Sequence, residues 1–169
     1  MPLVMSTGAE SIRTAQYFLA RALDDGDATF SNLKMQKVVY YAYSAVLVTY
    51  GERLFSESMQ AWPNGPVVPS LYTALRDYRS SPIDREFLRG KTLGEVASNF
   101  SPEILETLEN VYQLVGQLSA FQLVVATHSE RPWKNARNGL AATTPSNVPL
   151  SDADIKEEFS AADFVPISV

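Results

Sequence analysis

Among side chains able to move a proton near neutral pH, the chain has one histidine, His128, in the run Thr127-His128-Ser129-Glu130. An imidazole with a carboxylate two residues on is the beginning of general acid–base chemistry. A small hydrolase built on His128 and a carboxylate is therefore one reading of the run. Hydrolysis through a covalent intermediate also requires a nucleophile within reach of its base. There is no cysteine, and no Gly-x-Ser-x-Gly turn to present a serine. A metal site would need several carboxylates converging on the single histidine, and no spacing in the chain points to that. A glycine-rich phosphate loop is missing as well. His128 stands near the end of an apolar run, where a histidine hydrogen-bonds or caps the last turn of a helix. The expectation is a protein that is not an enzyme, with no catalytic residue, no metal and no cofactor.

A second polar group, Lys34, Gln36 and Lys37, heads the run 31–51. Lys34 and Lys37 lie one helical turn apart, and two readings stand side by side. In the first they are solvated ends of a buried helix, since charges stay wet unless paired. In the second Lys34, Gln36 and Lys37 bind polar groups, either the turn at Asn64-Gly65 or a partner. Positive charge at a helix N-terminus meets the positive end of the macrodipole, and a carboxylate would offset it. Glu130 is the candidate. The third group is Trp62-Pro63-Asn64-Gly65-Pro66-Val67-Val68-Pro69. Two prolines around Asn-Gly stiffen a turn. It is either a rigid turn with Trp62 in the core, or a recognition loop that loses little freedom on docking, with Tyr72 just beyond it.

These groups need elements to hold them. Nearly every residue of 31–51 after Gln36 is apolar or aromatic. The run is too long for an ordinary strand, and its early lysines count against a membrane span. It reads as a central helix capped by Ser31 and ended by Gly51, with Tyr40, Ala42, Val46 and Leu47 in the core. Its polar head is expected to surface or to meet another polar group. Before it, Thr7 and Glu10 fit a capping box, and an amphipathic helix should end near Asp24 to Asp27. After it come a short extended segment at 56–62 and a helix at 70–78 with Leu71, Tyr72, Leu75 and Tyr78 inward. Residues 79–100 read as mostly loop with a helical turn near 84–88. Ser101-Pro102 starts a strong amphipathic helix. Ser119 caps the next, with Phe121, Leu123, Val124, Val125 and Ala126 largely buried. A turn at 133–137, a surface loop at 139–149 and a short helix opened by Ser151 complete the pattern.

The fold class is thus mainly α, a compact bundle of about five to seven helices around a buried central helix, with at most a small two-stranded β element. One domain spans 1–169, with its core at about 7–160 and a tail at 161–169, although Phe164, Val165 and Ile167 could pack back. The net charge is −5 and no run is a basic patch, which makes nucleic acid an improbable partner. With no leader-like N-terminal pattern, the expected location is cytoplasmic, with no membrane partner.

Three segments carry a resemblance. Leu33-Lys34-Met35-Gln36-Lys37-Val38-Val39-Tyr40-Tyr41 is similar to a Leu-Lys-Leu-Gln-Lys-Leu-x-Tyr-Tyr signature, with Met35 and Val38 in place of leucine. Ala61-Trp62-Pro63-Asn64-Gly65-Pro66-Val67 resembles an Ala-Trp-x-x-Gly-Pro-Val signature, and Thr127 to Trp133 a Thr-His-x-x-x-Pro-Trp ending. In this order they resemble the Panacea domain family, the SocA-like antitoxins also labelled GepA-like phage-associated proteins. The likeness runs over about residues 10–160. It implies a mainly helical antitoxin that binds and neutralises a cognate toxin from an adjacent gene, by occlusion or as a proteolytic adaptor delivering the toxin to the ClpXP protease. The signature or partner-binding residues it implies are Lys34, Gln36, Lys37, Tyr40, Trp62, Asn64, Gly65, Pro66, Val67, Tyr72, His128, Glu130, Pro132 and Trp133. The alternative is a phage- or prophage-associated nucleic-acid-binding regulator. Each segment sets polar residues beside aromatics at an element boundary, so the three are expected to converge in space.

Overall fold

The computed structural model describes residues 9–167. Thr7, expected to cap the first helix, lies outside them. In chain order come α1 (Ala9–Asp24), α2 (Asn32–Tyr50), β1 (Gln60–Trp62), β2 (Gly65–Val67) and α3 (Pro69–Leu75). They are followed by α4 (Leu93–Ala97), α5 (Pro102–Val115), α6 (Ala120–His128), α7 (Arg131–Arg137) and α8 (Asp152–Glu158). Short 3-10 turns occupy Arg76–Tyr78, Arg85–Leu88 and Ala161–Phe164. The mainly α architecture with one small antiparallel hairpin is as expected, with eight α-helices among the described residues rather than five to seven.

Helix α2 organises the rest. The Ser31 side chain accepts from the Lys34 N–H, and Gly51, at φ 69°, ends the helix with its N–H on the Leu47 carbonyl. That left-handed conformation is one glycine adopts without cost. From Lys34 to Leu47 every residue is buried. A helix apolar on all sides must be surrounded, and α1, α3, α5, α6, α8 and β2 all pack on it. Tyr40, Ala42, Val46 and Leu47 lie in the core. Helix α1 contributes Ala15, Phe18, Leu19 and Ala22, and Arg21 ties it to Glu109 of α5 at 2.9 Å.

The ends of α2 are the reverse of solvated head and buried tail. Tyr50, at the C-terminal end, is 42% exposed, whereas Lys34 and Lys37 near the start are 5% and 0% exposed. The hairpin and the α6–α7 corner close over Lys37, which meets a backbone carbonyl instead of water, and Lys34 lies against the Phe30 ring.

Five other expectations change. The stretch 79–100 contains α4, whose Thr92 and Glu95 form a capping box; the pattern is present in Thr92-Leu93-Gly94-Glu95, but Gly94 hides it. In α3 only Leu71 and Leu75 are buried, while Tyr72 is 37% exposed, because α3 lies at the rim of the bundle. In α6, Leu123 and Thr127 face inward, but Phe121 and Val125 are 76% and 53% exposed. Only one face of α6 reaches α2. The extended segment narrows to β1, and of the tail Phe164 alone packs back, against Phe159 at 5.3 Å.

Candidate functional site

Lys37 stands in the second turn of α2 and reaches the hairpin. Its Nζ donates to the Pro66 carbonyl at 3.1 Å, and burial pulls its pKa down to about 7. Taking an ammonium out of water disfavours its charge. Gly65 is the residue that lets the hairpin come so near. It sits at φ 113°, and a Cβ there would lie 2.6 Å from Lys37 Cε and 2.8 Å from Thr127 Oγ1. Gln36 joins the same hairpin: its Oε1 accepts the Val68 N–H and its Nε2 donates to Asn32 Oδ1, each at 2.9 Å. Lys34 instead places its Nζ 4.3 Å over the Phe30 ring, and burial lowers its pKa too. The solvated-end reading is therefore overturned for both lysines, and Gln36 and Lys37 do bind polar groups of the hairpin segment, at Val68 and Pro66 rather than at Asn64-Gly65.

Glu130 is not their counter-ion. Its two carboxylate oxygens accept from Tyr40 Oη at 3.0 Å and Tyr41 Oη at 2.7 Å. Burial raises its pKa to about 7, against the pull of the two tyrosine bonds. The reason is positional: the Lys37 stem runs to Pro66, and the tyrosines of the following turn meet the α6–α7 corner.

That corner holds the third segment. Glu130 is the N-cap residue of α7 and Pro132 sits in its first turn, where a missing N–H costs nothing. Trp133 Nε1 donates to the Trp62 carbonyl at 2.8 Å. The His128 ring stacks on Trp133 at 3.9 Å and 14°. Burial lowers the His128 pKa, with the Pro63 backbone working against that. His128 thus packs the corner to the hairpin. A residue the sequence reading missed, Arg137, does the same from the end of α7. Only 3% exposed, it donates to the carbonyls of Ala61 at 3.1 Å and Ala141 at 2.6 Å and lies 5.5 Å from the Trp133 ring. The four-residue step from Trp133 to Arg137 was a signal, but a basic residue ending a short helix reads as solvated.

The three segments therefore converge on the β1–β2 hairpin, pairing Gln60 with Val67, Ala61 with Pro66 and Trp62 with Gly65. Its other side faces outward. Asn64 is exposed, and the half-buried Trp62 meets the Tyr72 ring edge-on at 4.9 Å. Val67 and Pro66 are buried. Among the described residues there is no group of three or more His, Asp or Glu able to hold a metal ion, and no helix long and apolar enough to cross a membrane. The arrangement holds a hairpin rigid and presents its tip.

Residues 35–134 match the family described as Antitoxin SocA-like, Panacea domain. The chain belongs to this Panacea domain family. The antitoxin SocA of Caulobacter vibrioides (strain NA1000 / CB15N) is 31% identical over 138 residues, covering 79% of this chain and 73% of that protein. No solved structure matches. The matched Panacea stretch takes in Lys37, the hairpin and the α6–α7 corner through Trp133, and stops short of Arg137.

Proposed function

We propose that this protein is the antitoxin of a toxin–antitoxin pair, which binds a toxin encoded by an adjacent gene and blocks its active or target-binding face without turning over a substrate. One observation carries the mode of action: the hairpin is held from behind by Lys37, Trp133 and Arg137 while Trp62, Asn64 and Tyr72 line its outer side. A surface already rigid in the free protein loses little freedom on docking, and tryptophan and tyrosine supply much of the energy of protein interfaces. Family membership and the likeness to antitoxin SocA support the antitoxin role. The cytoplasm is the setting that goes with it.

Handing the bound toxin to ClpXP is a second mode of the same role. The test is co-expression with each neighbouring gene product, reading growth and toxin level in cells with and without the protease. Occlusion predicts rescue with the toxin level unchanged in both. Delivery predicts rescue and toxin loss only where the protease is present. Failure of the wild-type protein to rescue from either neighbour would sink the antitoxin reading.

A further inference from the structure

On the outer side of the hairpin a cleft of about 350 Å³ opens between the Trp62–Asn64 tip and the turn that ends α3. Its rear wall is finished: Gln36 and Asn32 are bonded to each other, and Gln36 also holds the Val68 N–H. Its mouth is different. Arg76 and Arg79 both line it and both are exposed. In a chain of net charge −5, carboxylates hold three of the nine arginines: Arg21 is paired with Asp25 and Glu109, Arg53 with Asp152, Arg131 with Glu157. Among the described residues neither Arg76 nor Arg79 makes an ion pair. Arg79 also stands at φ 55° and ψ −122°, a backbone state that a residue with a Cβ rarely takes and that glycine takes freely. Arg79 thus combines a strained backbone with an exposed guanidinium at the mouth of the cleft, beside Arg76 and two aromatic rings.

We propose that this cleft docks an acidic peptide segment of a protein partner, with Arg76 and Arg79 taking its carboxylates and Trp62 and Tyr72 packing against the adjoining side chains. The guanidinium fork matches a carboxylate with two parallel hydrogen bonds. The aromatic pair gives apolar area that a free inorganic anion would leave unused. A second hollow, lined by Pro145, Ser146 and Asn147, shares Trp62 and Pro63 as its wall, so an extended chain can cross the Trp62–Pro63 ridge from one to the other. A nucleic acid would fit poorly, because a polyanion longer than the cleft must lie against an acidic protein. This deepens the proposed function by giving the chemistry of the toxin surface that is bound.

The test uses the full-length protein and a short acetylated peptide of alternating Asp, Glu and Leu. Its Asn/Gln and Lys counterparts, inorganic phosphate and a duplex oligonucleotide are compared, with tryptophan fluorescence and calorimetry as readouts. The acidic peptide should bind at least about tenfold tighter than its amide counterpart, the scale of one charge-assisted hydrogen bond, and weaken as salt rises. Arg79→Gly should lose that preference while its Tm holds or rises, because glycine relieves the backbone. Arg76→Gln should lose it with Tm unchanged. No binding of the acidic peptide, equal binding of the amide counterpart, a preference untouched by Arg79→Gly, or tighter binding of phosphate or the oligonucleotide would each overturn the proposal. The titration needs no toxin. Intact peptide binding with failed rescue in co-expression would remove the antitoxin reading alone.

Discussion

On its inner side the hairpin offers backbone carbonyls to charged and ring N–H donors, Pro66 to Lys37, Ala61 to Arg137 and Trp62 to Trp133. On its outer side Arg76, Arg79 and Asn64 stand exposed around Trp62 and Tyr72. Both sides carry cations, Lys37 and Arg137 within and Arg76 and Arg79 without, yet one set is out of water and bonded to backbone carbonyls, and the other is in water and makes no ion pair among the described residues. A buried cation bonded to a carbonyl fixes geometry without needing a counter-ion, although it is held at a desolvation cost. An exposed arginine contributes little to folding and keeps its bonding capacity for a partner. The inner side should therefore fail as stability, the outer side as binding.

The largest effect is expected at the point of closest approach. Gly65→Val would put a branched side chain at φ 113° and against Lys37 and Thr127. Backbone strain and overpacking together should cost about 2–6 kcal/mol, measured by denaturant unfolding. A cost near zero would show that the hairpin is not seated on Lys37. Leu47→Ala, at a position 3% exposed in the core, serves as calibration and should cost about 2–5 kcal/mol.

Next comes a pH dependence of opposite sign on the two flanks of neutrality. Lys37 has its pKa lowered from 10.5 to about 7 in the fold, so between these values the unfolded chain holds more protons and stability rises with pH. Its penalty is full below about pH 7. Glu130 has its pKa raised from 4.5 to about 7, so the folded state holds more protons in that window and stability falls as pH climbs through it. Each limb has a slope of at most about 1.4 kcal/mol per pH unit. Unfolding curves should show Lys37→Met flattening the alkaline limb and Glu130→Gln the acidic one. If both variants keep the wild-type profile, these groups do not titrate as their burial requires.

Trp133→Phe removes the donor to the Trp62 carbonyl but keeps a ring against His128. About 1 kcal/mol should be lost, the net worth of one hydrogen bond. Smallest in stability is Asn64→Glu on the outer side, which sets a like charge against an acidic segment and is expected within about 0.5 kcal/mol of wild type, with circular dichroism unchanged. In co-expression it should nevertheless weaken rescue from the toxin. Full rescue would take the hairpin tip out of the interface.

Local chemistry was legible wherever it is decided within a turn or two. Ser31 and Gly51 bound α2, Ser101-Pro102 and Ser119 open α5 and α6, and Ser151 opens α8, because caps satisfy N–H and C=O groups that each helix leaves at its own ends. The unbroken apolar run of α2 likewise required burial on all sides, and the shared polar–aromatic character of the three segments was enough to expect their meeting.

Partnership was a matter for the tertiary structure. Periodicity tells which face of a helix is apolar but not whether another element arrives to cover it. Phe121 and Val125 have the same character as Leu123, and only Leu123 is met by the core. Nor does a charge announce its own solvation: Lys37 is buried because the hairpin, distant in sequence, closes over it, Lys34 lies against the Phe30 ring, and Arg137 is buried with its bonds on Ala61 of β1 and on Ala141. Glu130 went to two tyrosines rather than to a lysine because the fold brings Tyr40 and Tyr41 to it and carries Lys37 to Pro66.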